Sequence, residues 1–194
     1  MEAWFCHVPG LKVVVPATPQ DAKGLLLAAI DDPNPVLFFE HKYLYRAVKG
    51  PVTDAHFHIP LGQARIARTG AHATIVTWGI GVLWALQEAE HQSRRGLSVE
   101  VIDLLTLIPW DKPAVLASVE KTSRLLVLHE APRTAGFGAE IAASVAEECF
   151  SLLDAPPIRV AGEDIPIPFS TSLEKNVYSA QARLRGALER LLAF

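Results

Sequence analysis

Apolar positions along the chain alternate between short β-branched runs, which are typical of buried strands, and longer runs with helical spacing. The first short run, LKVVV (Leu11 to Val15), ends at Pro16 and predicts a strand. A helix is predicted next, because Thr18 can cap its first turn and Pro19 suits its first position. The helix must end at DDPNP, residues 31–35, where two prolines prevent its continuation.

The N-terminal third of the chain forms a small unit followed by a linker. With VLFFE (residues 36–40) as a second strand, residues 1–47 are predicted to be strand, helix and strand. A unit this small rarely folds alone, so we expect it to be loosely attached or to pair with another copy. Residues 48–62 contain two Pro and two Gly without periodicity, which predicts a linker between domains.

From residue 63 onward, predicted strands and amphipathic helices alternate regularly. The predicted strands are residues 73–79, 97–104, 124–130 and 157–162, and the predicted helices are residues 82–92, 111–122, 137–151 and 177–192. This order predicts a three-layer α/β fold with a mostly parallel sheet covered on both faces. In such a sheet, functional groups lie beyond the carboxyl ends of the strands, here near Gly79, Asp103 and His129.

Composition narrows the classes of protein further. The chain has 194 residues, of which 50% are hydrophobic and 20% charged, so it is not intrinsically disordered. The apolar excess leads us to expect apolar surface for another subunit or domain. A net charge of −3 provides no basic surface, and we expect neither nucleic acid nor a membrane as partner. Cys6 and Cys149 are far apart, and no signal-peptide pattern precedes them, so we expect reduced thiols and a cytoplasmic location.

Two local motifs each allow a functional and a structural interpretation. GIGVLW (Gly79 to Trp84) joins a strand to a helix, as a phosphate-binding turn does. Trp84 stands where a dinucleotide fingerprint has its third glycine, which favours a simple tight turn. His129 and Glu130 end a strand at the functional edge; they are either a general base or an anchor for a turn or an interface.

Two groups of side chains have metal-binding chemistry. His56 and His58 lie on one side of an extended segment and could begin a metal site. No third ligand is spaced nearby, which favours exposed linker histidines. At DDPNP, unpaired helix-end carbonyls lie beside Asp31, Asp32 and Asn34, so this turn is either an oxygen-ligand cation site or a solvated helix stop.

Four long stretches carry a family resemblance. They are HVPGLKVVVPATPQDAKGLLLAAIDDPNPVLFFEHKYLYR, VEVIDLLTLIPWD, EKTSRLLVLHEAPRTAGFGAEIA and EECFSLLDAPPIRVAGEDIPIP. Together they resemble the β subunit of the thiamine diphosphate-dependent decarboxylating component of 2-oxo acid dehydrogenase complexes, from Met1 to about Pro168. The HEAPRTAGFGAEI and EECFSLLDAP stretches are closer to the branched-chain (2-oxoisovalerate) type, and FFEHKYLYR is closer to bacterial pyruvate enzymes.

The resemblance implies a division into domains and a location for the catalytic groups. Residues 1–47 would be the tail of a transketolase-like pyrimidine-binding domain, residues 48–62 the linker, and residues 63–194 the transketolase C-terminal domain. In the family, the glutamate and the histidine that act in catalysis lie upstream of the segment that Met1 begins. The diphosphate of the cofactor and its magnesium are held by the partner α subunit. We therefore expect no catalytic or cofactor-binding residue in this chain, and no decarboxylase activity from it alone.

The resemblance also implies a cation site and a docking residue. The family's structural potassium site uses an upstream loop together with positions that align with Ala29, Asp32 and Asn34. Related β subunits of the pyruvate type use their C-terminal end to meet the acyltransferase core, which makes Phe194 the expected docking residue; the alternative is a frayed helix end. The expected partners are an α subunit, a second β subunit and the lipoyl acyltransferase core.

These expectations lead to one main functional hypothesis and two alternatives. The main hypothesis is part of the β subunit of a 2-oxoisovalerate dehydrogenase, which oxidatively decarboxylates a 2-oxo acid and transfers the acyl group to a lipoyl carrier. In it, this segment serves subunit assembly and core docking. The alternatives are a non-catalytic interaction module and a pyruvate or acetoin dehydrogenase β subunit.

Overall fold

The computed structural model describes residues 1–170, 172–174 and 180–194. Its helices include α1 Glu2–Cys6, α2 Pro19–Asp31, α3 Leu44–Ala47, α4 Ile80–Ser93, α5 Lys112–Thr122, α6 Gly138–Glu148 and α7 Ala180–Leu192. Its strands include β1 Lys12–Val14, β2 Val36–Phe38, β3 Arg65–Arg68, β4 Ala73–Thr77, β5 Val99–Asp103, β6 Thr106–Ile108, β7 Leu125–Pro132 and β8 Ile158–Gly162. In the part of the chain covered by these ranges, no helix is long and apolar enough to cross a bilayer.

A five-stranded sheet forms the centre of the larger unit, with the order β3-β5-β4-β7-β8. Strands β4, β5, β7 and β8 are parallel, and β3 pairs antiparallel with β5 at one edge. One face packs on α5 and α6 through apolar side chains such as Val119 and Ile141. The other face packs on α4 and α7 through side chains such as Ala85 and Leu188. The predicted three-layer, mostly parallel α/β fold is therefore confirmed.

A second, three-stranded sheet has the order β2-β1-β6 and joins the N-terminal residues to the larger unit. Strands β1 and β2 are parallel, whereas β6 comes from the second part of the chain and pairs antiparallel with β1. Val13 and Val15 belong to the same apolar cluster as Trp78 and Ile102. The prediction that residues 1–47 are loosely attached is therefore wrong, because β6 supplies a strand that covers them.

The start of α2 follows the predicted capping chemistry. The Thr18 hydroxyl accepts a hydrogen bond from the Asp21 backbone N–H at 3.2 Å, and the Asp21 carboxylate accepts from the Thr18 N–H at 3.2 Å. These two bonds satisfy backbone donors that the first helical turn leaves unpaired. The start of the predicted last helix, residues 177–179, lies outside the described residues, and α7 is described over Ala180–Leu192.

Candidate functional site

A cleft of about 280 Å³ lies where the two sheets meet. It opens at the carboxyl ends of β4 and β7 in the larger sheet and just beyond β2 in the smaller one. Its lining includes Glu2, Glu40, His41, Trp78 and Glu130. The cleft therefore lies at the edge where parallel α/β sheets bind ligands, and two separate parts of the chain form its walls.

Trp78, directly after β4, forms the floor of this cleft and is almost fully buried. Its ring stacks on His129, with centroids 5.3 Å apart and planes 11° from parallel, and it meets Phe137 edge-on at 6.0 Å. The Trp78 indole Nε1–H donates to a Glu2 carboxylate oxygen at 3.1 Å. This bond attaches α1, which the sequence did not predict, to the larger unit.

His129 is buried and packs beneath the turn that follows β7. Its Nδ1 lies 3.0 Å from the Ala131 carbonyl oxygen, so Nδ1 carries the proton and donates. Its Nε2 is buried and has no hydrogen-bond partner among the described residues, and burial lowers the pKa of His129 to about 4. The turn above it fits only with glycine, because a Cβ on Gly138 would lie 2.7 Å from the imidazole ring and one on Gly136 equally close. The geometry favours an anchor for this turn over a general base.

Glu130 connects the two parts of the chain across the cleft. A Glu130 carboxylate oxygen lies 2.9 Å from His41 Nε2, and both side chains are about three-quarters buried. The hydrogen bond to Glu130 raises the pKa of His41, with burial acting in the opposite direction. Of the two predicted alternatives, the geometry thus favours the anchor: His129 holds the turn and Glu130 holds the interface.

An ion network that sequence reasoning missed lies at the other side of the interface. The Arg65 guanidinium on β3 donates to Asp21 of α2 at 2.6 Å and to Asp103 at the end of β5 at 2.7 Å. Burial raises the pKa of Asp103 to about 7, although Arg65 opposes the shift. The sequence placed Asp103 at the carboxyl end of a predicted strand, where functional groups were expected. Arg65 was missed because it lies on β3, which was not predicted.

The two glycines of GIGVLW serve close packing. Gly79 caps α4 with a φ of +54°, which favours glycine. A Cβ on Gly81 would lie 2.1 Å from the Thr77 hydroxyl oxygen, so a larger residue does not fit against β4. This geometry supports the tight-turn interpretation of the motif.

The residues of the expected cation site surround the C-terminal end of α2. One Asp32 carboxylate oxygen pairs with the Lys12 ammonium. The other accepts from the Asn34 backbone N–H at 2.9 Å and from its side-chain amide at 3.1 Å. Ala29 lies in the last turn of α2, where carbonyl oxygens lack partners within the helix. The potassium site stays a prediction.

Phe194, the expected docking residue, follows the end of α7 and is 66% exposed. An exposed aromatic side chain at this place is compatible with both predicted alternatives, a docking anchor and a frayed helix end. Its docking role stays a prediction.

Comparison with protein families assigns both parts of the chain. Residues 62–183 match the family described as "Transketolase, C-terminal domain". The chain belongs to this family. Residues 1–48 match "Transketolase, pyrimidine binding domain". The resemblance expected from the sequence motifs is therefore confirmed, and the cleft lies between two segments of transketolase type. The bounds of the three predicted segments stay a prediction.

Curated relatives of this transketolase-type chain are β subunits of 2-oxo acid dehydrogenases. The "2-oxoisovalerate dehydrogenase subunit beta 2, mitochondrial" of Arabidopsis thaliana is 54% identical, covering 86% of this chain and 47% of the relative. The "Pyruvate dehydrogenase E1 component subunit beta" of Rhizobium meliloti is 48% identical, covering 89% and 38%. The "2-oxoisovalerate dehydrogenase subunit beta" of Bacillus subtilis is 42% identical, covering 100% and 60%. The chain thus spans about half the length of these relatives.

A solved structure confirms the fold. The structure described as "Split gene transketolase, inactive beta4 tetramer" superposes with a TM-score of 0.79, covering 98% of this chain and 60% of the other. The two sequences are 22% identical, so this likeness concerns the fold alone. It includes the arrangement of the N-terminal residues against the transketolase C-terminal domain.

Proposed function

We propose that this chain is part of the β subunit of a 2-oxo acid dehydrogenase of the 2-oxoisovalerate type. The similarity to the Arabidopsis thaliana 2-oxoisovalerate dehydrogenase subunit carries the proposal, because it runs through both transketolase-type segments. The complete enzyme would oxidatively decarboxylate a branched-chain 2-oxo acid and transfer the acyl group to a lipoyl carrier. The similarity to pyruvate dehydrogenase subunits makes pyruvate the alternative substrate.

The contribution of this segment to the enzyme would be subunit assembly and docking. Large apolar side chains remain exposed after β8 and on α1, among them Ile165, Ile167, Phe169 and Trp4. Exposed apolar surface of this kind is typical of protein interfaces, which are rich in aromatic residues. An α subunit and a second β subunit are the proposed partners for this surface, and Phe194 is the proposed contact with the lipoyl acyltransferase core.

Thiamine diphosphate with magnesium supplies the carbanion chemistry of this reaction when it is bound. Within the described residues, the interdomain cleft does not fit the diphosphate end of this cofactor. The carboxylates of Glu2, Glu40 and Glu130 line it and repel a diphosphate. Glu130 is also committed to His41, and Glu2 to the Trp78 indole. We therefore assign the cofactor and its magnesium to other parts of the assembly.

A potassium ion at the end of α2 is part of the same proposal. The Asp32 carboxylate oxygens are already bonded to Lys12 and Asn34, so the donors that fit potassium are backbone carbonyls of Ala29, Asp32 and Asn34. Carbonyl oxygens at a helix C-terminus attract cations because the helix dipole is negative there. A rise in melting temperature in KCl relative to NaCl would support this site.

Affinity purification from the source cells tests the enzyme proposal directly. A tag on the chain is expected to recover an α subunit in equal amount. The recovered complex is expected to decarboxylate 2-oxoisovalerate faster than pyruvate, and faster than it cleaves acetoin. A preference for pyruvate would indicate that the chain belongs to a pyruvate dehydrogenase instead. Recovery of the chain without any α subunit would reject the enzyme proposal and favour a non-catalytic interaction module.

A further inference from the structure

A short segment of the linker, residues 56–59, is fixed against α2. The close approach of this segment requires glycine at position 24, because a Cβ on Gly24 would lie 2.5 Å from the Phe57 ring and 2.7 Å from the Ile59 side chain. The Ile59 backbone N–H also donates to the Gly24 carbonyl oxygen at 3.2 Å. Two apolar side chains and one backbone hydrogen bond thus hold this part of the linker in place.

His56 and His58 alternate with these anchors and are exposed to solvent. Their ring centroids are 5.1 Å apart, and His58 Nε2 lies 2.9 Å from an Asp31 carboxylate oxygen. One ligand atom from each of Asp31, His56 and His58 lies within 4.8 Å of the other two. The third ligand that sequence spacing did not supply therefore comes from the end of α2, more than 20 residues earlier.

This spacing is close to that of a metal site. Tetrahedral zinc with bonds of about 2.0–2.1 Å places neighbouring ligand atoms roughly 3.4 Å apart. His58 Nε2 and the Asp31 carboxylate oxygen are 2.9 Å apart, and no two of the three donors are more than 4.8 Å apart, so small side-chain rotations bring them into coordination. The site is open to solvent, and water can complete the coordination sphere.

The chemistry of the donors selects the class of ion. Imidazole nitrogens suit first-row divalent metals, whereas potassium and calcium take oxygen ligands. Asp31 is the last residue of α2, where the negative end of the helix dipole adds to the attraction for a cation. The group is also distinct from Ala29, Asp32 and Asn34, which offer oxygen donors for a monovalent ion.

We propose that Asp31, His56 and His58 form a binding site for a first-row divalent metal ion, with Zn²⁺ as the ion that fits best. The bound ion would join the linker to the C-terminal end of α2 and so restrict the linker between the two transketolase-type segments. The site does not depend on the proposed enzymatic function, because its residues lie outside the cleft.

Calorimetric titration of the tag-free full chain with Zn²⁺ tests the site. One ion per chain is expected, and His56→Ala, His58→Ala and Asp31→Asn should each weaken Zn²⁺ binding by about 10–100-fold. Removing a residue that only orients a metal ligand already has an effect of this size, so removing a ligand should have at least this effect. His7→Ala is the matched control, because His7 is exposed but remote in sequence. Circular dichroism establishes that each variant is folded. With Co²⁺ as probe, the absorption spectrum should lack thiolate charge-transfer bands, which excludes binding at Cys6 or Cys149.

Limited trypsin digestion provides a second readout. Zn²⁺ is expected to slow cleavage after Lys49 in the wild type but not in the His56→Ala/His58→Ala double variant, which also controls for effects on the protease. Absence of saturable binding would overturn the proposal. Equal Zn²⁺ affinity in wild type and in either His58→Ala or Asp31→Asn would overturn it as well.

Discussion

Acid is expected to destabilise this protein through one buried histidine, His129. Burial lowers its pKa from 6.5 to about 4, so the folded state keeps the imidazole neutral while the unfolded chain takes up a proton. Stability is therefore fully present above about pH 6.5 and is lost as the pH falls toward 4. The difference between the two pKa values corresponds to roughly 3 kcal/mol, of which about 2 kcal/mol is lost by pH 5.

His129→Asn isolates this contribution. The asparagine amide can stand where Nδ1 stands and donate to the Ala131 carbonyl, but it does not titrate. Losing the ring that stacks on Trp78 should cost about 2 kcal/mol at pH 8. Because the variant escapes the acid penalty, wild type and variant should have nearly equal stability at pH 5.

Urea denaturation at pH 8, 6.5 and 5, followed by tryptophan fluorescence, measures the free energy of unfolding of both proteins. His7→Asn, at an exposed position, controls for the removal of a histidine as such. A stability difference between wild type and His129→Asn that stays constant from pH 8 to pH 5 would refute the reasoning, since it would place no titration at His129.

Four further predictions concern the interface, the helix cap, the linker and docking. Glu130→Gln removes the partner that raises the pKa of His41, so it should lower the free energy of unfolding by about 0.5–1 kcal/mol at pH 6. The loss should be smaller at pH 9, where His41 is neutral in both folded and unfolded states. Equal losses in urea titrations at the two pH values would contradict this. Thr18→Ala removes the cap of α2 and should lower the free energy of unfolding by about 1 kcal/mol, whereas Thr18→Ser should retain most of it. Limited proteolysis should cut first within residues 48–61, and mass spectrometry showing an earlier cut inside either segment would argue against a linker there. Phe194→Ala should weaken binding of the core's subunit-binding domain to the assembled α and β subunits by about 1–3 kcal/mol in calorimetry, and unchanged affinity would remove Phe194 from the interface.

Local chemistry in the sequence determined α2 and the parallel core strands of this protein. The Thr18–Asp21 capping box and the prolines of DDPNP give α2 bounds that agree with prediction at both ends, since both signals act within one helical turn. The parallel core strands were predictable because they are buried on both faces and thus form continuous apolar runs, such as LLVL at the start of β7. Long motifs also gave the transketolase-type family.

Tertiary structure alone decided how the two parts of the chain are joined. Strand β6 is only three residues long, and β3 contains two arginines, so neither has a periodic signal. Their identity as strands depends on pairing with β1 and β5, which are distant in sequence. The Arg65 network and the association of Asp31 with His56 and His58 depend on the same kind of long-range packing. Each brings together residues that are far apart in sequence, and separation in sequence does not determine the distance between their side chains in the fold.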